Sequence, residues 1–78
     1  MTGARILLVE DDEVLRELIL RNLQGRGHEV NVAANARTAL THLRNTPFDL
    51  ILLDICLPDE TGWEMLRIAQ KQGWLSSL

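Results

Sequence analysis

Short apolar runs alternate along the chain with longer segments in which apolar residues recur at helical spacing. The short runs cover residues 5–9, 29–33 and 49–54. Runs of this length indicate β-strands, and the longer periodic segments indicate amphipathic helices. Since the connections are short, the order β-α-β-α-β-α predicts parallel strands joined by helical crossovers in an α/β fold.

The three predicted helices have recognisable ends. The first should span residues 12–24 and stop at the glycines that follow it. Asn35 is a suitable N-cap for the second helix, which should end at residues 46–47. The third should run from about Trp63 to Gln72. The apolar residues expected to face the core are Val14, Leu15, Leu18, Ile19 and Leu23 in the first helix, Ala36, Ala39, Leu40 and Leu43 in the second, and Met65, Leu66 and Ala69 in the third.

The run 49–54 is the most informative of the three strands. A continuous apolar stretch that ends in one acid, Asp54, is typical of a strand buried on both faces of a parallel sheet. Pro58 cannot donate a ladder hydrogen bond, so the strand should end before it. Asp54 would then lie at the carboxyl end of the strand, where open α/β sheets bind ligands. The alternating run 29–33 instead predicts an edge strand.

Length and composition exclude several classes of function. A chain of 78 residues, 46% of them hydrophobic, is expected to form one domain at most. Its net charge of −3 and the lack of a basic run disfavour nucleic-acid binding. We expect no signal peptide, which would need a longer apolar region and a small-residue cleavage site. We expect no membrane contact, because no stretch approaches the roughly 20 apolar residues of a span.

The cysteine and the histidines offer no chemistry of their own. Cys56 is the only cysteine, which excludes an internal disulfide and suits a reducing cytoplasm. We expect its side chain to be a small buried filler. His28 and His42 lack metal-ligand spacing and are expected at the surface.

Acids that follow two of the predicted strands form the candidate site. Glu10 and Asp11 follow the first strand, and Asp54 ends the third. If these strands are neighbours, the carboxylates converge and repel one another. Mg²⁺ would remove that cost, because it prefers oxygen ligands and is often held by one or two carboxylates plus a phosphate. Taken singly, these acids would also suit a helix cap, a solvated turn or an ordinary loop.

The two acidic stretches resemble a known family. Residues 6–12 read ILLVEDD, and residues 49–62 read DLILLDICLPDETG. Together they resemble the receiver (response regulatory) domain of bacterial two-component response regulators, and residues 25–30 match its link into the second strand. The resemblance implies a three-layer, flavodoxin-like doubly wound parallel sheet, of which this chain would supply strands 2-1-3 only. It also implies a cytoplasmic protein of phosphorelay signal transduction.

The resemblance implies a role for each site residue. Asp54 matches the phosphoacceptor, which would take a phosphoryl group from a sensor histidine kinase or a phosphotransfer protein. Asp11 matches a direct Mg²⁺ ligand and Glu10 the acid that holds the ion through water. Asp54 would also contact the ion, and Cys56 holds the position whose backbone carbonyl ligates it. Such a domain is a phosphoacceptor rather than an enzyme, with at most self-phosphorylation from phosphodonors.

The chain differs from the family pattern in its length. Residues 1–78 would be the N-terminal part of a single receiver domain, truncated after the third helix and without an output domain. The hydroxyl residue and the lysine that the family places on later strands are absent, so we expect impaired phosphoryl transfer. The third strand would expose an apolar edge, which predicts a homodimer, strand-swapped in one form.

Two other functions fit part of the pattern. The missing hydroxyl and lysine favour a phosphorylation-independent dimerisation or interaction module. An aspartyl phosphatase of the haloacid dehalogenase type would need a second Asp two residues after the nucleophile. Cys56 occupies that position, which disfavours this enzyme class.

Overall fold

The structure is a computed structural model that describes residues 3–54 and 56–78, and its elements follow the predicted order. They are β1 (Arg5–Val9), α1 (Glu13–Gly25), β2 (Glu29–Ala33), α2 (Ala36–Asn45), β3 (Leu50–Leu53) and α3 (Gly62–Lys71). The described helices are all too short, or not apolar enough, to cross a membrane.

The three strands form one parallel sheet in the order β2-β1-β3. Leu7 in β1 pairs with Asn31 on one side and Ile51 on the other, so the three strands are aligned at their middle residues. This confirms the predicted α/β fold class and strand order, with β2 at an edge. The register also brings the carboxyl ends of β1 and β3 side by side, which is what a site at this edge needs.

β1 is the central and most buried strand. Alternate residues point to opposite faces of a strand, and Ile6 to Val9 are each no more than 2% exposed. Leu7 and Val9 face the side covered by α2 and α3, where the main apolar cluster lies. The buried members of that cluster are Leu7, Val9, Ala33, Ala36, Ala39, Leu43, Phe48, Met65 and Ala69.

The prediction that the 49–54 run is buried on both faces is wrong. Leu50 is 45% exposed and the other residues of β3 are half-buried. The physical reason is the position of β3: in the described part of the chain it pairs only with β1, so its outer edge is open. The strand itself is also shorter than predicted, because pairing ends at Leu53 and Asp54 follows it.

The apolar stripe of α1 is likewise more exposed than a core stripe. No α1 residue is buried, and Val14 and Leu18 are 72% and 62% exposed. Helix α1 packs against β2 and β1 at the far side of the sheet from α2 and α3. Its outer apolar face, together with the open edge of β3, is uncovered in the described structure.

Helix caps lie close to where the sequence places them. Asn35 accepts a hydrogen bond from the Thr38 amide at 2.8 Å, as predicted for the N-cap of α2. Thr61 caps α3, which therefore begins at Gly62, one residue earlier than predicted. Gly27 has a φ of 88°, the left-handed region that favours glycine, and it turns the chain from α1 into β2.

The two histidines are half-buried rather than at the surface, and both hold backbone groups. The Ala4 amide donates to His28 Nδ1 at 3.0 Å, which ties the start of β1 to the start of β2. His42 Nε2 lies 3.1 Å from the Val32 carbonyl oxygen, which links α2 to β2. Both contacts are structural.

Candidate functional site

The carboxyl ends of β1 and β3 bring three acids together. Val9 pairs with Leu53, and the Asp54 amide continues the ladder by donating to the Val9 carbonyl at 2.9 Å. Glu10 and Asp11 follow the last residue of β1. One carboxylate oxygen from each of Glu10, Asp11 and Asp54 lies within 4.8 Å of the others. The cluster therefore results from the pairing of β1 with β3, because the ends of these two strands are far apart in sequence.

The turn that follows β1 is held by backbone and side-chain hydrogen bonds. The Glu10 amide donates to the Ala33 carbonyl of β2 at 3.0 Å. Arg16 reaches back from α1 and donates to the Glu10 carbonyl at 3.1 Å. Asp12 accepts from the Leu15 amide at 3.0 Å as the N-cap of α1. Asp12 is therefore a helix cap, and the carboxylates of Glu10 and Asp11 lie beside that of Asp54.

The close spacing shifts the proton affinities of two of these groups in opposite directions. Loss of solvation raises the pKa of Glu10, the charge of Asp54 raises it further, and the Asp12 amide partly opposes the rise. The pKa of Asp54 is lowered, chiefly because the Cys56 amide donates to its Oδ1 at 3.0 Å. As the pH falls, Glu10 therefore takes up a proton before Asp54, which stays a carboxylate.

Cys56 is exposed, so the prediction that it is a buried filler is wrong. It lies beyond the end of β3, where its backbone forms an isolated antiparallel bridge with Thr61. Its carbonyl as a metal ligand stays a prediction.

The donor set fits a hard divalent cation. All three side chains offer only oxygen, and within the described chain none of them pairs with a basic side chain inside 4.0 Å. Two of the three are half-buried and Asp11 is exposed, so an ion could enter from solvent and keep water ligands. Mg²⁺ prefers this combination of carboxylates and retained water.

An open groove of about 780 Å³ runs from the acids along the face between α1 and β3. Leu15 and Ile19 of α1 line one side, and Leu52 of β3 lines the other. A phosphate-bearing group could approach the acids through this opening.

Two residues next to the segments that carry these acids make long-range contacts that sequence reasoning missed. Arg16 holds the Glu10 carbonyl, and Asp59 accepts hydrogen bonds from the first amides of α2. Each bonds backbone groups of another segment, 6 and 22–23 residues away. The hydrophobic pattern carries no signal for such contacts.

Comparison with known proteins agrees with this geometry. The family model described as the response regulator receiver domain matches residues 6–76. A probable transcriptional regulatory protein of Picosynechococcus is 43% identical over 79 residues, and the match covers 92% of this chain and 32% of that protein. The virulence transcriptional regulatory protein PhoP of Salmonella typhimurium is 40% identical over 63 residues.

Solved structures show the same fold. Chemotaxis response regulator CheY4 of Vibrio cholerae superposes with a TM-score of 0.90 at 33% identity, covering 96% of this chain and 62% of that one. TrrA of Thermotoga maritima, solved in complex with Mg²⁺-BeF, gives 0.80 at 37% identity and covers 87% of this chain and 59% of TrrA.

The chain belongs to the response regulator receiver domain family, the phosphoacceptor domains of two-component systems. The predicted flavodoxin-like fold is confirmed by its CheY-like neighbours. The chain spans about 30% of the length of the two transcriptional regulatory proteins named above, and about 60% of the two solved structures.

Proposed function

We propose that the chain accepts a phosphoryl group on Asp54 in a Mg²⁺-dependent reaction. The observation that carries this proposal is the convergence of Glu10, Asp11 and Asp54 within 4.8 Å at the carboxyl edge of the sheet. The family match supports it, because receiver domains are phosphoacceptors. We also infer that residues 1–78 form the N-terminal part of one receiver domain, in line with the 62% of CheY4 that the chain covers.

Asp54 would act as the nucleophile. A carboxylate oxygen attacks phosphorus of a phosphohistidine, the P–N bond breaks, and the new P–O bond makes an acyl phosphate. The departing imidazole keeps the electron pair of the broken bond and takes a proton from solvent. The Cys56 amide donates to Asp54 Oδ1 at 3.0 Å and so fixes the orientation of the carboxylate for this attack.

Asp11 and Asp54 would hold the ion directly, Glu10 through water, and Cys56 through its carbonyl. When bound, Mg²⁺ would offset negative charge on the transferring phosphoryl oxygens. The pKa of Glu10 is raised because its carboxylate loses solvation and lies next to the charge of Asp54. A cation at this position would relieve that repulsion.

The phosphodonor is expected to be a sensor histidine kinase or a phosphotransfer protein. TrrA, similar to this chain with a TM-score of 0.79 in that structure, has been solved in complex with the histidine kinase ThkA. The lone cysteine suits the cytoplasm, where we place this reaction.

The test is the intact mass of the chain after incubation with Mg²⁺ and a small phosphodonor, beside Asp54→Asn and Asp49→Asn. Asp49 is a matched aspartate at the opposite end of β3, where its side chain accepts from the Arg5 amide. We expect one phosphoryl group on wild type and on Asp49→Asn, and none on Asp54→Asn. Chelation of Mg²⁺ should abolish the addition. A folded wild type that gains no mass would contradict the proposal.

A homodimer stays a prediction, favoured by the exposed apolar residues Val14, Leu18 and Leu50. Light scattering with and without the phosphodonor tests it. A dimer that Asp54→Asn leaves unchanged would support an interaction module that works without phosphorylation. A monodisperse monomer would contradict the dimer.

A further inference from the structure

The Asp59 carboxylate joins the loop after Asp54 to a different element of the fold. Its Oδ1 accepts from the Ala36 amide at 2.8 Å, and its Oδ2 accepts from the Arg37 amide at 3.0 Å. Oδ1 also accepts from the Glu60 amide at 3.0 Å, within its own loop. One carboxylate therefore bonds the first two amides of α2 and the loop that carries it.

The first amides of α2 are bonded by side chains from two different parts of the chain. The first amides of a helix have no partner inside the helix, and a residue at the N-cap normally satisfies them. Here the local N-cap, Asn35, bonds only the Thr38 amide with its side chain. Asp59, which lies 22–23 residues further along the chain, accepts hydrogen bonds from the amides of Ala36 and Arg37. Its negative charge also suits the positive end of the helix dipole.

The loop that holds Asp59 begins at Cys56, two residues after Asp54. Cys56 and Thr61 pair as an antiparallel bridge at its base, and Leu57 packs against the main apolar cluster. The tip of the loop, between the two bridge residues, is held to α2 through Asp59. At the start of the same loop, the Cys56 amide donates to the Asp54 carboxylate. The loop therefore contacts α2 through Asp59 and the acceptor carboxylate through Cys56.

We propose that Asp59 is a positioning residue for the Asp54 site, which acts by fixing the 56–61 loop to the first turn of α2. Its effect on Mg²⁺ binding rests on the function proposed above, whereas its effect on the loop does not. A carboxylate is needed because three amide donors converge on two oxygens. Asparagine offers one oxygen, and its amide nitrogen would face a donor.

Four variants separate positioning from general stability. Asp59→Ala and Asp59→Asn remove all or part of the contact, and the second keeps the size of the side chain. Asn35→Ala removes the other cap of the same helix without touching the loop. Glu60→Gln removes one negative charge from the adjacent position, whose side chain makes no hydrogen bond in the described structure.

Two readouts are measured on each folded variant. The first is the dissociation constant for Mg²⁺ from calorimetric titration. The second is hydrogen exchange of the Cys56 amide by NMR without metal, which reports on the loop itself. We expect both Asp59 variants to speed this exchange and to weaken Mg²⁺ binding about three- to tenfold, less than the roughly 10–100-fold lost with a direct partner of a metal ligand. The two controls should leave both readouts near wild type.

Each outcome decides the proposal. If Asn35→Ala matches Asp59→Ala in both readouts, Asp59 only stabilises α2 and the proposal is wrong. If Glu60→Gln weakens Mg²⁺ binding as much as Asp59→Asn, the effect is one of charge and positioning is excluded. If wild type binds no Mg²⁺, the proposed function fails, and the exchange of the Cys56 amide alone decides whether Asp59 fixes the loop.

Discussion

Leu7 and Leu8 allow a direct test of the two unlike faces of the sheet. They are neighbours in β1 and at most 2% exposed, but they point in opposite directions. Leu7 lies in the main apolar cluster under α2 and α3, whereas Leu8 lines the open groove between α1 and β3. Replacing each by alanine removes the same atoms from the same strand, so differences in β-propensity cancel.

The expected loss differs because the two sites differ in how far they can relax. Leu→Ala in a closed core costs about 3–5 kcal/mol, more where a larger cavity remains. We expect Leu7→Ala to fall at the upper end, about 4–5 kcal/mol, since its surroundings are packed on every side. Leu8→Ala should cost about 3 kcal/mol or less, because water and the α1 side chains can enter the space. A chain of this length has about 4–12 kcal/mol in all.

Urea denaturation followed by circular dichroism measures this difference. With a slope of about 1 kcal/mol per molar urea for a small domain, the midpoint of Leu7→Ala should lie about 1–2 M below that of Leu8→Ala. An equal or larger loss for Leu8→Ala would refute the reasoning. It would mean that the groove is closed in solution, which a second copy of the chain on that face would explain.

Two further predictions concern the turn beside β1 and the cap of α2. A Cβ at Gly3 would overlap the Gly27 carbonyl oxygen, so Gly3→Ala should lower the free energy of unfolding by about 1–3 kcal/mol, as measured by thermal melts. Gly25→Ala is the control, because a Cβ there meets nothing within 4 Å. A larger loss for Gly25→Ala than for Gly3→Ala would contradict the close approach. The Ala36 amide chiefly, with those of Arg37 and Glu60, holds the pKa of Asp59 below its ordinary value of 3.8. The folded state therefore binds this proton less readily than the unfolded state, and the stability from Asp59 is complete above that value and lost as the pH falls through the folded pKa. When the urea midpoint is plotted against pH, the fall on the acid side should be shallower for Asp59→Asn than for Glu60→Gln. Parallel curves for the two variants would contradict the assignment.

The elements and the acids could be predicted because both follow from local pattern. Apolar runs and helical spacing located all six elements, and the acids come directly after two of the strands. The exposure of Leu50 and Val14 could not be read the same way. An apolar residue in a strand or stripe shows which face it occupies, and only the tertiary arrangement shows whether another element covers that face.

The contacts of Arg16 and Asp59 are of a different kind, and this explains why the hydrophobic pattern did not predict them. Arg16 and Asp59 bond backbone carbonyl or amide groups, which every residue carries and which leave no mark in the sequence. The Glu10 carbonyl belongs to the turn after β1, and the 56–61 loop follows Asp54 at the end of β3. Three carboxylates that repel one another would spread apart if the two turns were free. Under the functions proposed above, fixing each turn to a helix, the first to α1 and the second to α2, would keep the carboxylates at a spacing that suits a cation.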